Sequence, residues 1–327
     1  MAELNLLQAI NRALDEEMER DHRVVVLGED VGRRGGVFRV TEGLLARHGE
    51  ERVIDTPLAE VGIAGVAYGM AVYGLRPVAE FQFADYIHPA WDQIMNEAAN
   101  LRYRSNGAYG CPVVFRAPYG GGIQGGLYHS QSVEGFFTHV PGLKVVIPST
   151  PADAKGLLTA AIRDPDPVAF FEPKKGYRLI KGDVPDGEHV VPLGKAAVRR
   201  EGSDVSVFAY GMMAHYALQA VDEVAGEGIS AELVDLRTLT PGDKESILAS
   251  VRKTGKALVV HEDNLTCGYG AEVAAIIADA AFEWLDGPVR RLCAQDVPGV
   301  PLAHALQDFY MPSPEKFAEA IRELVAY

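Results

Sequence analysis

The sequence predicts two doubly wound α/β domains, each a mostly parallel sheet covered by helices on both faces. Three observations predict it. Short apolar strand patterns alternate with helical ones, as parallel strands joined by crossover helices require. The length, 327 residues, exceeds one average domain and suits two. Between Glu172 and Gly194 the alternation breaks into Lys174-Lys175-Gly176 and Lys181-Gly182-Asp183-Val184-Pro185-Asp186-Gly187, the composition of a linker.

Each element has a local reason. Leu6, Leu7, Ile10, Leu14 and Met18 repeat at helical spacing within 3–20. Val24-Val25-Val26-Leu27 is a buried strand ending in Gly28-Glu29-Asp30, and Val53-Ile54 is a second. A slim helix rich in Gly and Ala follows, with Thr56 as its cap and Pro57 in its first position. Strands are expected at 76–83, 113–116, 143–148 and 168–171, with helices from about Pro89 to Arg104 and from Pro151 to Arg163. The second series runs strand 204–210, helix 214–225, strand 230–236, helix 243–253, strand 257–261 and helix 270–285. A closing helix spans 314–325, and no repeat of solenoid spacing occurs.

Composition excludes several classes. The chain is 48% hydrophobic and 23% charged, as a soluble globular protein is. A net charge of −14 and a pI of about 5.1 argue against nucleic acid or an anionic membrane as the main partner. No apolar run reaches a membrane span, and the first residues lack the pattern of a signal peptide. Cys111, Cys267 and Cys293 are far apart and without CxxC, so they read as reduced thiols of a cytoplasmic protein.

Glu60 is the residue that calls for chemistry. It heads the small-residue stretch Glu60-Val61-Gly62-Ile63-Ala64-Gly65-Val66-Ala67, where an unpaired buried charge is costly. A capping box is the alternative reading, yet its glutamate slot counted from Thr56 is Ala59. Tyr119–Glu134 holds five glycines in seven positions (120 to 126) and then His129. The glycines could cradle phosphate, but neither GK[ST] nor a GxGxxG in a strand–loop–helix setting is present. The loop reads better as a wall delivering His129 to a cavity for proton transfer or anion stabilisation, with a structural histidine as the alternative. Phe81 and Phe83 share one face at period two and read as core. Tyr86, beyond the strand, is placed either to stack on a planar heterocycle or to pack a helix start. His261-Glu262-Asp263 ends a strand facing Gly268-Tyr269-Gly270 and reads as a structural turn or partner contact. No GxSxG elbow and no His/Cys pair at zinc spacing occurs.

Several ordered motifs carry a family resemblance across essentially the whole chain. They are Leu27-Gly28-Glu29-Asp30-Val31-Gly32, Asp55-Thr56-Pro57-Leu58-Ala59-Glu60, Phe81-Gln82-Phe83-Ala84-Asp85-Tyr86, Asn96-Glu97-Ala98-Ala99 with Arg102-Tyr103-Arg104-Ser105, Tyr128-His129-Ser130-Gln131-Ser132, Lys144–Pro151 and Asp235-Leu236-Arg237-Thr238-Leu239. Together they resemble the beta subunit of the E1 component of 2-oxo acid dehydrogenase complexes. The resemblance implies a transketolase pyrimidine-type domain over 1–180, a linker over 181–195 and a transketolase C-terminal-type domain over 196–327. It also implies an α2β2 assembly with an alpha subunit, thiamine diphosphate shared between the subunits, and acyl transfer to the lipoyl group of an E2 acyltransferase core, an activity of the EC 1.2.4 type.

Residue by residue, Glu60 matches the glutamate that hydrogen-bonds N1′ of the aminopyrimidine and favours its imino tautomer. It is therefore expected in a dry pocket among Gly, Ala and Leu. Tyr86 matches the aromatic that stacks on that ring, while Gln82 and Leu58 line the same site. His129 matches the histidine beside the substrate and the incoming lipoyl group. The family's Gly-Asp-Gly diphosphate motif is absent: Gly182-Asp183 runs on to Val184, and Gly242-Asp243 to Lys244. Mg²⁺ is accordingly expected on the alpha subunit, leaving this chain half a site. A structural K⁺ is expected through carbonyls at Cys111, Val113, Val114, Ala161, Asp164 and Asp166. Gly242 stands where relatives carry a bulky residue. Tyr86 and His129-Ser130-Gln131-Ser132 resemble the branched-chain 2-oxo acid type. The alternatives are a pyruvate or acetoin E1 beta subunit, a non-catalytic subunit that organises E2, and a single-chain transketolase, which the missing Gly-Asp-Gly disfavours.

Overall fold

The structure is a computed structural model describing residues 1–327. The chain divides into two compact units, residues 1–119 with 136–193, and residues 120–135 with 194–327. The glycine-rich loop belongs to the second unit, although in sequence it lies inside the first.

Along the first part of the chain run β1 (Ala2–Asn5), α1 (Leu6–Arg20), β2 (Val24–Gly28), α2 (Leu44–His48), β3 (Val53–Asp55), α3 (Glu60–Val72), β4 (Arg76–Glu80), α4 (Leu101–Arg104), β5 (Val114–Tyr119), α5 (Glu134–Thr138), β6 (Lys144–Val146), α6 (Pro151–Arg163), β7 (Val168–Pro173), α7 (Gly176–Leu179) and β8 (Lys181–Val184). Six strands lie side by side in the order β6-β7-β5-β4-β2-β3, all parallel. Helices α1 and α6 cover one face. Leu6, Ile10, Leu14 and Met18 of α1, with Leu157, Leu158 and Ile162 of α6, pack against Val24, Val26, Val168 and Phe170. Full burial of each such side chain stabilises by about 1.5–3 kcal/mol. On α3, Ile63, Ala64, Ala67 and Ala71 are buried, while Val61, Val66 and Val72, and Tyr73 just after it, are exposed.

The structure departs from expectation in four places. Residues 2–5 are not helical but form a strand paired antiparallel with β8, which lies in the stretch read as a linker; Asn5 then caps α1 through a capping box with Gln8. Helix α3 begins at Glu60, not near Pro57, because Thr56 continues the strand pairing by donating its N–H to Gly28 O (2.9 Å). The expected helix 89–104 is broken into 3₁₀ (His88–Ala90), π (Gln93–Ala98) and α segments. Strand β4 ends at Glu80, so the period-two argument does not extend to Phe83: Phe81 is core, and Phe83 is half-buried.

The second unit holds β9 (Ala197–Arg200), β10 (Val205–Ala209), α8 (Gly211–Ala225), β11 (Ala231–Asp235), β12 (Thr238–Thr240), α9 (Lys244–Thr254), β13 (Ala257–Asn264), α10 (Tyr269–Ala280), β14 (Arg290–Ala294), α11 (His304–Tyr310) and α12 (Pro314–Ala326). Its sheet has the order β14-β13-β10-β11-β9, parallel except for β9. Gly242 leaves the space that Tyr269 uses, since a Cβ there would lie 2.6 Å from the Tyr269 hydroxyl, which donates to Leu239 O. No helix is long and apolar enough to cross a membrane.

Candidate active site

In the first unit, the sequence-nominated residues collect at the carboxyl ends of β2, β3 and β4, where open parallel sheets bind ligands. At the end of β3, the Asp55 carboxylate accepts from Gly32 N (2.6 Å) and Arg33 N (3.1 Å), pinning the loop that follows β2. That loop begins with Glu29. Burial pushes the Glu29 carboxyl above its ordinary range, and Asp30 and Glu60 push it further. Glu60 is the first residue of α3, and Ala59 before it offers no side-chain cap. The capping-box reading therefore fails, and the carboxylate instead lies at the positive end of the helix dipole. Tyr86 ends a short 3₁₀ turn after β4. Burial raises its hydroxyl pKa, with Asp85, Glu60 and Glu29 adding to the effect. Both Glu29 and Tyr86 thus lie within electrostatic reach of the Glu60 carboxylate, and Gln82 is half-buried in the bend between β4 and that turn.

The dry setting expected for Glu60 is not what the chain alone presents. Glu60 is half-buried, Leu58 is 71% exposed and Val61 46% exposed. The cause is geometric: only one side of α3 packs on its own unit.

Behind this wall lies a buried ionic cluster that sequence reasoning missed. Arg116 donates Nε to Glu172 Oε1 (2.7 Å), Nη2 to Glu172 Oε2 (2.9 Å) and Nη1 to Glu80 Oε2 (2.7 Å). The Tyr177 hydroxyl also donates to Glu172. Burial raises the Glu80 carboxyl, Arg116 opposes that rise, and Glu172 adds to it. Burial would lower the Arg116 pKa, but Glu172 and Glu80 outweigh it and raise it. The signal was present as single charges inside apolar strands, Ala79-Glu80, Phe115-Arg116 and Phe171-Glu172. From Tyr177 an aromatic path returns to the wall: Tyr177–Phe38 and Phe38–Phe83 at 5.4 Å, then Phe83–Tyr86 at 5.7 Å.

The residues nominated for K⁺ lie around the start of β5 and the end of α6. Cys111 O accepts from Val113 N (2.8 Å), Val113 O from Val168 N (3.0 Å) and Ala161 O from Asp164 N (3.3 Å). Asp164 O accepts from Arg76 Nη1 (3.2 Å), and Asp164 Oδ1 from Lys144 Nζ (2.7 Å) and Asp166 N (2.9 Å). Asp166 also receives Arg102 Nε (2.6 Å).

His129 belongs to the second unit and is half-buried, following a 3₁₀ turn at Gly126–Tyr128. The loop closes on itself through Gly120 N to Gln131 O (2.9 Å) and Gln131 Nε2 to Leu127 O (3.0 Å). Gly121 N donates to Glu262 Oε2 (2.9 Å), so an amide that a phosphate would need already serves a carboxylate. His261 faces the glycine turn as expected: its Nε2 accepts from Gly270 N (3.1 Å) and lies 3.1 Å from Cys293 Sγ. Burial pushes its pKa down to about 4 and keeps the ring neutral.

Comparison with known proteins agrees with this architecture. Residues 2–180 match the transketolase pyrimidine-binding domain, and residues 194–317 the transketolase C-terminal domain. Among solved structures, a split-gene transketolase described as an inactive beta4 tetramer superposes with a TM-score of 0.81 at 24% identity, covering 99% of this chain and 98% of that one. A transketolase from Pichia stipitis gives 0.72 at 14% identity, covering 100% of this chain and 46% of that one. These two likenesses show the fold, that of a transketolase-type α/β chain. Sequence relatives narrow the class. The 2-oxoisovalerate dehydrogenase subunit beta of Bacillus subtilis (strain 168) is 56% identical over 100% of both chains. The mitochondrial subunit beta 2 of Arabidopsis thaliana is 52% identical, over 99% of this chain and 90% of that protein. The pyruvate dehydrogenase E1 component subunit beta of Bacillus subtilis is 47% identical over 100% of both. The chain belongs to the E1 beta subunits of 2-oxo acid dehydrogenases.

Proposed function

We propose that this chain, paired with an alpha subunit as α2β2, carries out the thiamine diphosphate-dependent oxidative decarboxylation of a branched-chain 2-oxo acid and passes the acyl group to the lipoyl arm of an E2 core. The observation that carries the reading is the convergence of Glu60, Glu29 and Tyr86 at the carboxyl ends of β2–β4. A carboxyl group raised by burial and by neighbouring carboxylates, beside an aromatic ring, suits a planar, protonatable nitrogen heterocycle. When bound, the cofactor supplies the carbanion stabilisation that decarboxylation of a 2-oxo acid needs. Glu60 holds a proton at the pyrimidine N1′, Tyr86 stacks on the ring, and Gln82 and Leu58 complete the wall. His129 acts at the substrate and at the incoming lipoyl disulfide, whose reduction balances the oxidation of the acyl group. These residues fit the aminopyrimidine end alone, so Mg²⁺ and the diphosphate are assigned to the alpha subunit. The uncovered apolar side of α3, beside Glu60, supports a partner there.

The same proposal includes a domain division at 181–195, a cytoplasmic location and a structural K⁺. The carbonyls of Cys111, Val113, Ala161 and Asp164 each retain a second lone pair, whereas Lys144 and Arg76 already set two cations on Asp164. Melting in K⁺-free and K⁺-containing buffers decides between them. The substrate is tested by co-expression with alpha subunits and decarboxylation of 2-oxoisovalerate against pyruvate. A higher kcat/KM for 2-oxoisovalerate is expected; preference for pyruvate overturns the branched-chain assignment.

A further inference from the structure

The triplet His261-Glu262-Asp263 at the end of β13 has no part in the chemistry above, yet the loop carrying His129 is fastened to it. Gly121 N donates to Glu262 Oε2 at 2.9 Å, and Gly135 N to Asp263 Oδ2 at 3.3 Å. The two ends of the loop thus land on consecutive carboxylates. Bare backbone at both ends is a condition of the contact. A Cβ on Gly120 would lie 2.7 Å from Glu262 Oε1, and one on Gly135 2.7 Å from Asp263 Oδ2. A third fastening is deeper. Buried Glu134 accepts from the Tyr210 hydroxyl (3.0 Å), and the Tyr210 ring stacks on His261, centroids 6.0 Å apart and planes 16° apart. Gly270 N holds His261 in turn.

Hydrogen bonds to carboxylates are stronger than neutral ones, and fixing both ends of a glycine-rich segment removes much of its conformational freedom. His129 lies between the two fastenings. We infer that residues 261–263 form a clasp that sets the position of His129, making Glu262 and Asp263 positioning residues for acyl transfer. The inference rests on the role proposed for His129.

The test uses the α2β2 complex with His129→Ala, Glu262→Ala, Glu262→Gln, Gly135→Ala and the double variant Glu262→Ala/His129→Ala. Amide exchange across 121–131 is read beside two rates, one with a lipoyl domain and one with an artificial electron acceptor. Glu262→Ala should speed exchange there about 10-fold or more. It should cut lipoyl acylation while leaving the KM for thiamine diphosphate unchanged. Glu262→Gln, which keeps an acceptor for Gly121 N, should recover most of the loss. Gly135→Ala, which forces Asp263 away, should behave like Glu262→Ala and serves if that variant does not assemble. In the His129→Ala background, Glu262→Ala should cost nothing more. Unchanged exchange, or a full additional loss in the double variant, overturns the clasp. If His129→Ala alone keeps full lipoyl acylation, the role of His129 falls, and the exchange measurement still decides whether the clasp exists.

Discussion

Arg116→Met tests the buried cluster behind the site. Arg116 is 1% exposed and serves both Glu172, 0% exposed, and Glu80, 4% exposed. Methionine fills similar volume but offers no donor, leaving Glu172 with the Tyr177 hydroxyl and Glu80 without the guanidinium that served it. Breaking a buried ion pair by removing one partner costs about 3–5 kcal/mol, because the surviving charge is stranded. In a domain of this size each kcal/mol lowers the melting temperature by about 2–4 °C, so a fall of about 6–20 °C is expected. Calorimetry of the α2β2 complex measures it. A companion variant neutralising the whole cluster, Arg116→Met with Glu80→Gln and Glu172→Gln, should lose less than Arg116→Met alone. A drop of under about 2 °C in Arg116→Met would show that those carboxyl groups do not depend on the guanidinium.

Two further perturbations address other parts of the chain. Burial pushes the Asp263 carboxyl up to about 6 from an ordinary 3.8. The folded chain then holds a proton that the unfolded chain has released between about pH 4 and 6, so stability falls as pH rises through that window, by about 1–3 kcal/mol. Asp263→Asn keeps an acceptor for Gly135 N and should raise the melting temperature at pH 7 but not at pH 4; an equal effect at both would contradict the assignment. Tyr86→Ala should weaken thiamine diphosphate binding to the complex about 10-fold, from loss of roughly 0.5–1.5 kcal/mol of ring contact and the area buried with it. Unchanged affinity by titration calorimetry would remove Tyr86 from the wall.

What could be seen in the sequence was whatever depended on neighbours along the chain. Helix α6 was legible to the residue because Thr150 caps it, Pro151 starts it, and its apolar residues repeat at helical spacing. Partners remote in sequence were not legible. Lys181–Val184 reads as a linker and becomes a strand only because Ala2–Asn5 pairs with it. Thr56 has the composition of a cap and is used by the sheet instead. Nothing near residue 120 announces that the glycine-rich loop belongs with Glu262 and Asp263, which lie more than a hundred residues onward. The candidate site divides in the same way. Glu60 and His129 stood out as misplaced polarity and were given roles by resemblance, whereas the cluster around Arg116 needed three strands brought together.

We propose Glu60 as the working carboxylate of half an active site. Its most direct test is turnover of the α2β2 complex carrying Glu60→Gln, with assembly checked by size and subunit ratio. Normal assembly with decarboxylation reduced about 10²-fold or more is the predicted result. Undiminished turnover in a correctly assembled complex would contradict it and favour a subunit that organises E2 without taking part in the chemistry.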